Sequence, residues 1–111
     1  MATLATQVLA HGGTAPSYAA ASSGGDKGAT GSGVFLAVKN SDTATHTVTL
    51  PIPETIDGQA VTSRTVDVPA AGSGGTMFIP LLDIYKQPSD GLAHFSYDAS
   101  TDLTVAVFRV S

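Results

Sequence analysis

Apolar and polar positions alternate in short runs along most of this chain. Residues 46–52 put Val48, Leu50 and Ile52 on one face and Thr47 and Thr49 on the other, the two-residue period of a strand with one buried side. Pro51 and Pro53 end its ladder, because proline has no N–H to donate. Residues 64–68 alternate in the same way and stop at Pro69, and residues 92–97 place Ala93, Phe95 and Tyr97 on one face. Three runs depart from the pattern. Residues 34–38 and 76–82 are apolar on both faces, and residues 103–110 set Leu103, Val105 and Val107 against Ala106, Phe108 and Val110. Strands of this kind need cover on both sides, and residues 34–38 are read as a central strand.

Strand starts near 34, 46, 64, 76, 92 and 103 lie 11 to 18 residues apart, which suits antiparallel strands joined by hairpins and crossovers and is too short for βαβ units. No sustained 3.6-residue stripe appears, and helix is expected only as a turn within residues 81–86. With a short N-terminal run at residues 6–10 the count is about seven strands. The expected fold is therefore all-β: a small antiparallel β-sandwich, jelly-roll-like, over residues 34–111, preceded by an N-terminal strand and an extended arm over residues 1–33. Residues 11–33 hold seven Gly, five Ala, four Ser and one large apolar side chain, Tyr18. Such a stretch buries too little to offset its ordering entropy, so by itself it is expected to be mobile.

Length limits the chain to one core, since 111 residues make one ordinary domain. The 13% of charged residues is about half the usual share. Five Lys plus Arg against nine Asp plus Glu give a net charge of -4, which offers no cationic footprint for phosphates, and nucleic acid is not expected as a partner. The absence of Cys removes disulfides, thiolate metal sites and a Cys nucleophile. The first ten residues lack the charge and apolar run of a signal peptide and nothing approaches 18 consecutive apolar residues, so a soluble compartment and no membrane contact are expected.

Candidate chemistry is thin. His11, His46 and His94 lack the i, i+2 or i, i+4 spacing that sets two imidazoles on one metal, so His46 and His94 are read as strand residues on solvent or interface faces. Asp98 and Asp102 bracket a turn without the repeated carboxylates of a calcium loop, and are read as turn-capping groups. Gly24 to Gly28 lacks the full phosphate-loop pattern, and Gly31-Ser32-Gly33 lacks a strand-to-helix elbow. Nine scattered acids and 6% aromatics without Trp point to neither a glycosidase pair nor a sugar platform. No catalytic residue, cofactor or metal is expected, and the chain is read as a non-enzyme. What remains is an interaction protein, whose two-sided strands are either simply central or buried against copies of itself or a larger assembly. Pro16 and Tyr18 in the arm and Phe108 and Val110 on the last strand are the candidate interface residues.

The chain also resembles a recurrent family of small proteins encoded in the virion modules of tailed bacteriophages. The residues that carry the resemblance are Pro-x-Tyr-Ala-Ala-Ala at 16–21, Gly-Gly-Asp-Lys at 24–27, Val-Phe-Leu-Ala-Val-Lys-Asn at 34–40, Asp-Gly-Gln-Ala-Val at 57–61, Arg-Thr-Val-Asp-Val-Pro-Ala at 64–70 and Leu-Thr-Val-Ala-Val-Phe-Arg at 103–109. The resemblance implies a capsid decoration (cement) or minor head protein, made in the host cytoplasm and placed on the capsid exterior. Its implied partner is the major capsid protein, met as a homotrimer at three-fold positions, where it braces the shell against internal pressure. Two other expectations stand beside it: a virion-surface module for host surfaces or glycans, using loops 53–63 and 83–91 with Tyr85 and Lys86, and a head–tail or tail component.

Overall fold

The structure is a computed structural model that describes residues 2–53, 55–60 and 62–110. These form β1 (Ala2–Thr3), β2 (Thr6–Leu9), β3 (Ala19–Ala20), β4 (Asp26–Gly28), β5 (Val34–Asn40), β6 (His46–Leu50), β7 (Thr55–Ile56), β8 (Gln59–Ala60), β9 (Arg64–Val68), β10 (Thr76–Pro80), β11 (Ala93–Tyr97) and β12 (Leu103–Val110). Single 3-10 turns occupy Ala71–Ser73 and Asp83–Tyr85, the second inside the stretch expected to turn. The chain is all-β.

Two five-stranded sheets carry the fold. Sheet I runs β1-β4-β11-β6-β9; sheet II runs β10-β5-β12-β2, with β3 beside β2 on the same edge of β12. β7 and β8 form a separate hairpin, whose Asp57-Gly58 turn has positive φ at both residues (52° and 78°), as a two-residue turn of that twist requires. The longest ladder joins β5 to β12 through seven residue pairs, from Leu103↔Asn40 to Arg109↔Val34.

The six strands expected from residue 34 onward are all present, with ends shifted by no more than two residues. Two expectations need correction. The strand count is twelve among the described residues rather than seven, and the sheets are mixed rather than antiparallel: β1 runs parallel to β4 and β2 parallel to β12. Both parallel pairs use the N-terminal residues, which dock on existing edges without a tight hairpin to fix their direction. Residues 1–33 thus contribute four strands. β3 and β4, of sequence Ala-Ala and Asp-Lys-Gly, lie within the segment read from composition as mobile. They order by satisfying backbone groups that the edges of β12 and β11 would otherwise expose.

One main core lies between the sheets. Val34, Leu36, Val38, Ile79, Leu103, Val105 and Val107 of sheet II meet Val48, Leu50, Val68, Ala93 and Phe95 of sheet I, with Leu81 and Tyr85 filling one end. β4 reaches this core with almost no side chain. A Cβ on Gly28 would lie 2.8 Å from Val107 Cγ2, so glycine permits the close approach of β4 to β12. Asp26, fully buried, accepts hydrogen bonds from Tyr97 Oη (2.7 Å) and Ser22 N (3.1 Å) through Oδ2. Burial, and secondarily Asp26, push the Tyr97 hydroxyl pKa far above its ordinary value, so Tyr97 remains a donor at any physiological pH. These bonds close the turn at residues 22–26 over the core.

Gly28→Ala is expected to destabilise the protein by about 1–3 kcal/mol, as overpacking does. Thermal unfolding of the variant measures this, and an unchanged midpoint would show that the 26–28 segment does not pack on β12.

Candidate interaction face

The outer faces of the two sheets differ in chemistry. Residues opposite one another in a ladder share a face, so the register places Lys27, His94, Ser96, Thr47, Thr49, Thr65 and Asp67 on the outside of sheet I. That face is polar. The outside of sheet II carries Phe78 and Pro80 from β10, Phe35, Ala37 and Lys39 from β5, Thr104, Ala106, Phe108 and Val110 from β12, and Gln7 and Leu9 from β2.

Four aromatic rings cross this second face in sequence. Phe78 lies edge-on to Phe35 (centroids 5.4 Å apart), Phe35 is tilted against Phe108 (5.6 Å), and Phe108 is met edge-on by Tyr18 (6.0 Å). Offset and edge contacts of this kind add about 0.5–1.5 kcal/mol each beyond burial. Lys39 Nζ sits 4.9 Å from the Tyr18 ring centre, a cation–π contact. Ala37, Ala106 and Phe108 form a small second core here, with Leu9, Tyr18 and Phe35 packed against it.

The sequence-predicted interface residues are partly united. Tyr18, Phe108 and Val110 lie on the sheet II face, but Phe108 is 4% exposed and Val110 58%: Phe108 is covered by the chain's own Tyr18, and Val110 is open. Pro16 is exposed in the loop between β2 and β3, away from the row. Gln7 fastens that loop, its Nε2 donating to Ser17 O (2.7 Å) and its Oε1 accepting from Ser17 N (3.0 Å), so a side-chain amide replaces a strand partner.

Sequence reasoning missed the largest exposed group. The run 76–82, expected to be covered on both sides, contains the edge strand β10: Ile79 and Leu81 point inward, while Phe78 is 63% and Leu82 51% exposed. Pro80, on the outward set between them, is also exposed. The two-sided apolarity was visible, but the number of neighbouring strands was not, because it is set by the rest of the sheet.

Titratable clusters lie elsewhere. His46, expected on a surface face, is buried, and its ring is held between two carboxylates: Nδ1 contacts Asp98 Oδ1 and Nε2 contacts Asp42 Oδ2, both at 2.9 Å. The hydrogen bond to Asp98 and then that to Asp42 raise its pKa against the opposing effect of burial. Asp42 is lowered by His46 and by the Thr43 N–H. Asp98, which burial would raise, is lowered on balance by His46 and by the Thr47 and Ala99 N–H groups. The carboxylates lie on opposite sides of the ring, so no single ion meets all three groups, and no set of three or more metal-ligating side chains is found among the described residues. The cluster ties the turn before β6 to the turn after β11. Asp90 accepts from His94 (2.8 Å) and Lys27 (3.2 Å); the His94 bond, then the Leu92 N–H, lower its pKa to about 2.

Of the residues expected to serve host or glycan recognition, Tyr85 is 3% exposed and belongs to the core, while Lys86 is exposed and 3.9 Å from Asp83. Positions 54 and 61 of loop 53–63, and with them Val61 of the 57–61 motif, lie outside the described residues. Comparison with protein families, with characterised proteins and with solved structures finds no match to this chain.

Two outcomes follow. Phe108→Ala is expected to cost about 3 kcal/mol in chemical denaturation and Phe78→Ala less than about 1 kcal/mol, because only Phe108 is already buried. Equal losses would mean that the face is covered within the monomer. In pH-dependent unfolding, the protonated His46 contributes fully below its ordinary value of 6.5 and its contribution fades as pH rises through the raised folded value. Asp42 and Asp98 contribute above 3.8 and fade as pH falls through their lowered folded values. Stability is therefore expected to peak between these limits, and His46→Gln should flatten the alkaline side; an unaltered alkaline limb would contradict the clamp.

Proposed function

We propose that this protein is a non-enzymatic structural component of a phage virion. It binds the outer surface of the capsid through the exposed face of sheet II and stabilises the assembled shell. The observation that carries this reading is the set of exposed apolar side chains on and just after β10, Phe78, Pro80 and Leu82. Fully burying a Phe or Leu side chain stabilises by about 1.5–3 kcal/mol, and Phe78 and Leu82 leave more than half of that unrealised in the isolated chain. Phe78, Leu82 and Ile84 are exposed on and just after β10, with Val110 on the same face of sheet II and Val8 on its other side, and a local concentration of exposed apolar groups marks an interaction site.

The resemblance in residues 16–21, 24–27, 34–40 and 103–109 supplies the partner, the major capsid protein, and a homotrimeric arrangement on the capsid. The low charge fits a surface largely covered by other chains. In this reading the two sheets pack as a jelly-roll-like sandwich, with the N-terminal strands along its edges, and many copies brace junctions between capsid subunits. Each contact is modest, and several per oligomer act at high effective concentration. Binding the assembled state alone stabilises it by mass action. The burial of Tyr85 weighs against a host-recognition module built on loop 83–91.

Co-sedimentation of the purified protein with empty, expanded phage shells tests the proposal. Saturable binding is expected, at a copy number that scales with the number of capsid subunits, together with a higher shell disruption temperature. Absence of binding, or attachment of a single ring of copies at one vertex, would refute it.

A further inference from the structure

We infer that the surface met by the sheet II face is an apolar recess rimmed by carboxylates, engaged by side chains across the face and not by a strand added to the edge of β10. This rests on the proposed capsid binding and specifies the chemistry of that partner.

The edge of β10 is poorly suited to strand addition. Leu81 N donates to Val34 O at 2.9 Å, and the antiparallel register then turns the N–H groups of Met77, Ile79 and Leu81 toward β5. Thr76, Phe78 and Pro80 face the open edge, and Pro80 has no N–H. The missing donor costs the internal ladder nothing and interrupts any incoming one, as prolines on edge strands do. What β10 offers is its side chains, chiefly Phe78, backed by Phe35 at 5.4 Å.

Charge gives the chemistry of the rim. The strands of sheet II contain Lys39 and Arg109 and no carboxylate, although the chain has nine acids and a net charge of -4. Lys39 is exposed, faces the same side as the aromatic row and rests over Tyr18, with no ion pair among the described residues. Of the acids that flank these strands in sequence, Asp83 after β10 is engaged by the Thr30 hydroxyl (2.8 Å) and lies beside Lys86 (3.9 Å), and Asp102 directly precedes β12. A second copy in face-to-face contact would bring strands without carboxylates against strands bearing the same Lys39, and so offers no strand carboxylate to either cation. Nucleic acid would need many more cations than one. A protein surface with apolar and acidic groups answers both the rings and the ammonium.

The test measures binding of four proteins to empty, expanded shells across a range of salt concentration: the wild type, Phe78→Ser, Lys39→Glu, and Thr49→Glu on the outside of sheet I. Circular dichroism establishes that each is folded. Wild-type affinity is expected to fall as salt rises. Phe78→Ser and Lys39→Glu should each bind about tenfold more weakly, Lys39→Glu should reverse the salt dependence because salt then screens a repulsion, and Thr49→Glu should remain within about twofold of the wild type. Loss only in Phe78→Ser would overturn the acidic rim, and loss only in Thr49→Glu would overturn the choice of face while leaving capsid binding in place. A concentration-dependent dimer of the free protein, abolished by Phe78→Ser, would make a second copy the occupant. Failure of the wild type to bind would remove the capsid reading and this inference together.

Discussion

The ladder between β5 and β12 is the constraint on which the rest depends. Seven consecutive pairs join two strands whose side chains are apolar on both faces, and a two-sided pair of this kind is stable only if both faces are covered. Sheet I covers one face through Phe95, Val48 and Leu50. The chain then has too few large side chains to do the same on the other. Tyr18, Leu9 and Phe35 shield Phe108, and beyond them Phe78 and Val110 remain open. The molecule thus has a polar side, a dry interior and a half-finished apolar side, and the proposed binding uses the last of these.

The N-terminal residues take their structure from the same constraint. β12 sits inside sheet II only because its second edge is shared by β2 and β3. Without them its backbone donors and acceptors would face water on a largely apolar strand. Small residues suit this service: Ala19 and Ala20 lie along β12 with little side-chain bulk, and Gly28 lets β4 come within reach of Val107. A composition rich in Gly, Ala and Ser, which alone implies disorder, here supplies backbone pairing where side chains would obstruct it. Gln7, bonded to both backbone groups of Ser17, holds Tyr18 close to Phe108 while the intervening loop stays at the surface.

Much of this was legible in the sequence, and the gaps have physical causes. The strands at 46–50, 64–68 and 93–97 carry a period of two because one side faces a core and the other solvent, and that contrast is written locally. β3 and β4 carry no such contrast: their order comes from the edges they pair with, far along the chain. Strand 76–80 showed that two faces were apolar but not that one lacked a neighbour, although Pro80 is the residue type that marks an edge. The apolar bulk of Tyr18 in the arm and the second apolar face formed by Phe108 and Val110 were legible because both are local signals; that Tyr18 itself covers Phe108 was not. The His46 clamp was not, since Asp98 reaches the ring from 52 residues away.

The central claim is that the outside of sheet II, and not the outside of sheet I, is covered when the protein performs its function. Hydroxyl-radical footprinting of the free protein and of the protein bound to phage shells addresses it directly. Phe78, Pro80 and Leu82 should oxidise readily when free and become protected when bound, while His94 and the threonines of β6 keep their reactivity. Protection of His94 and Thr49 with Phe78 still reactive would contradict it.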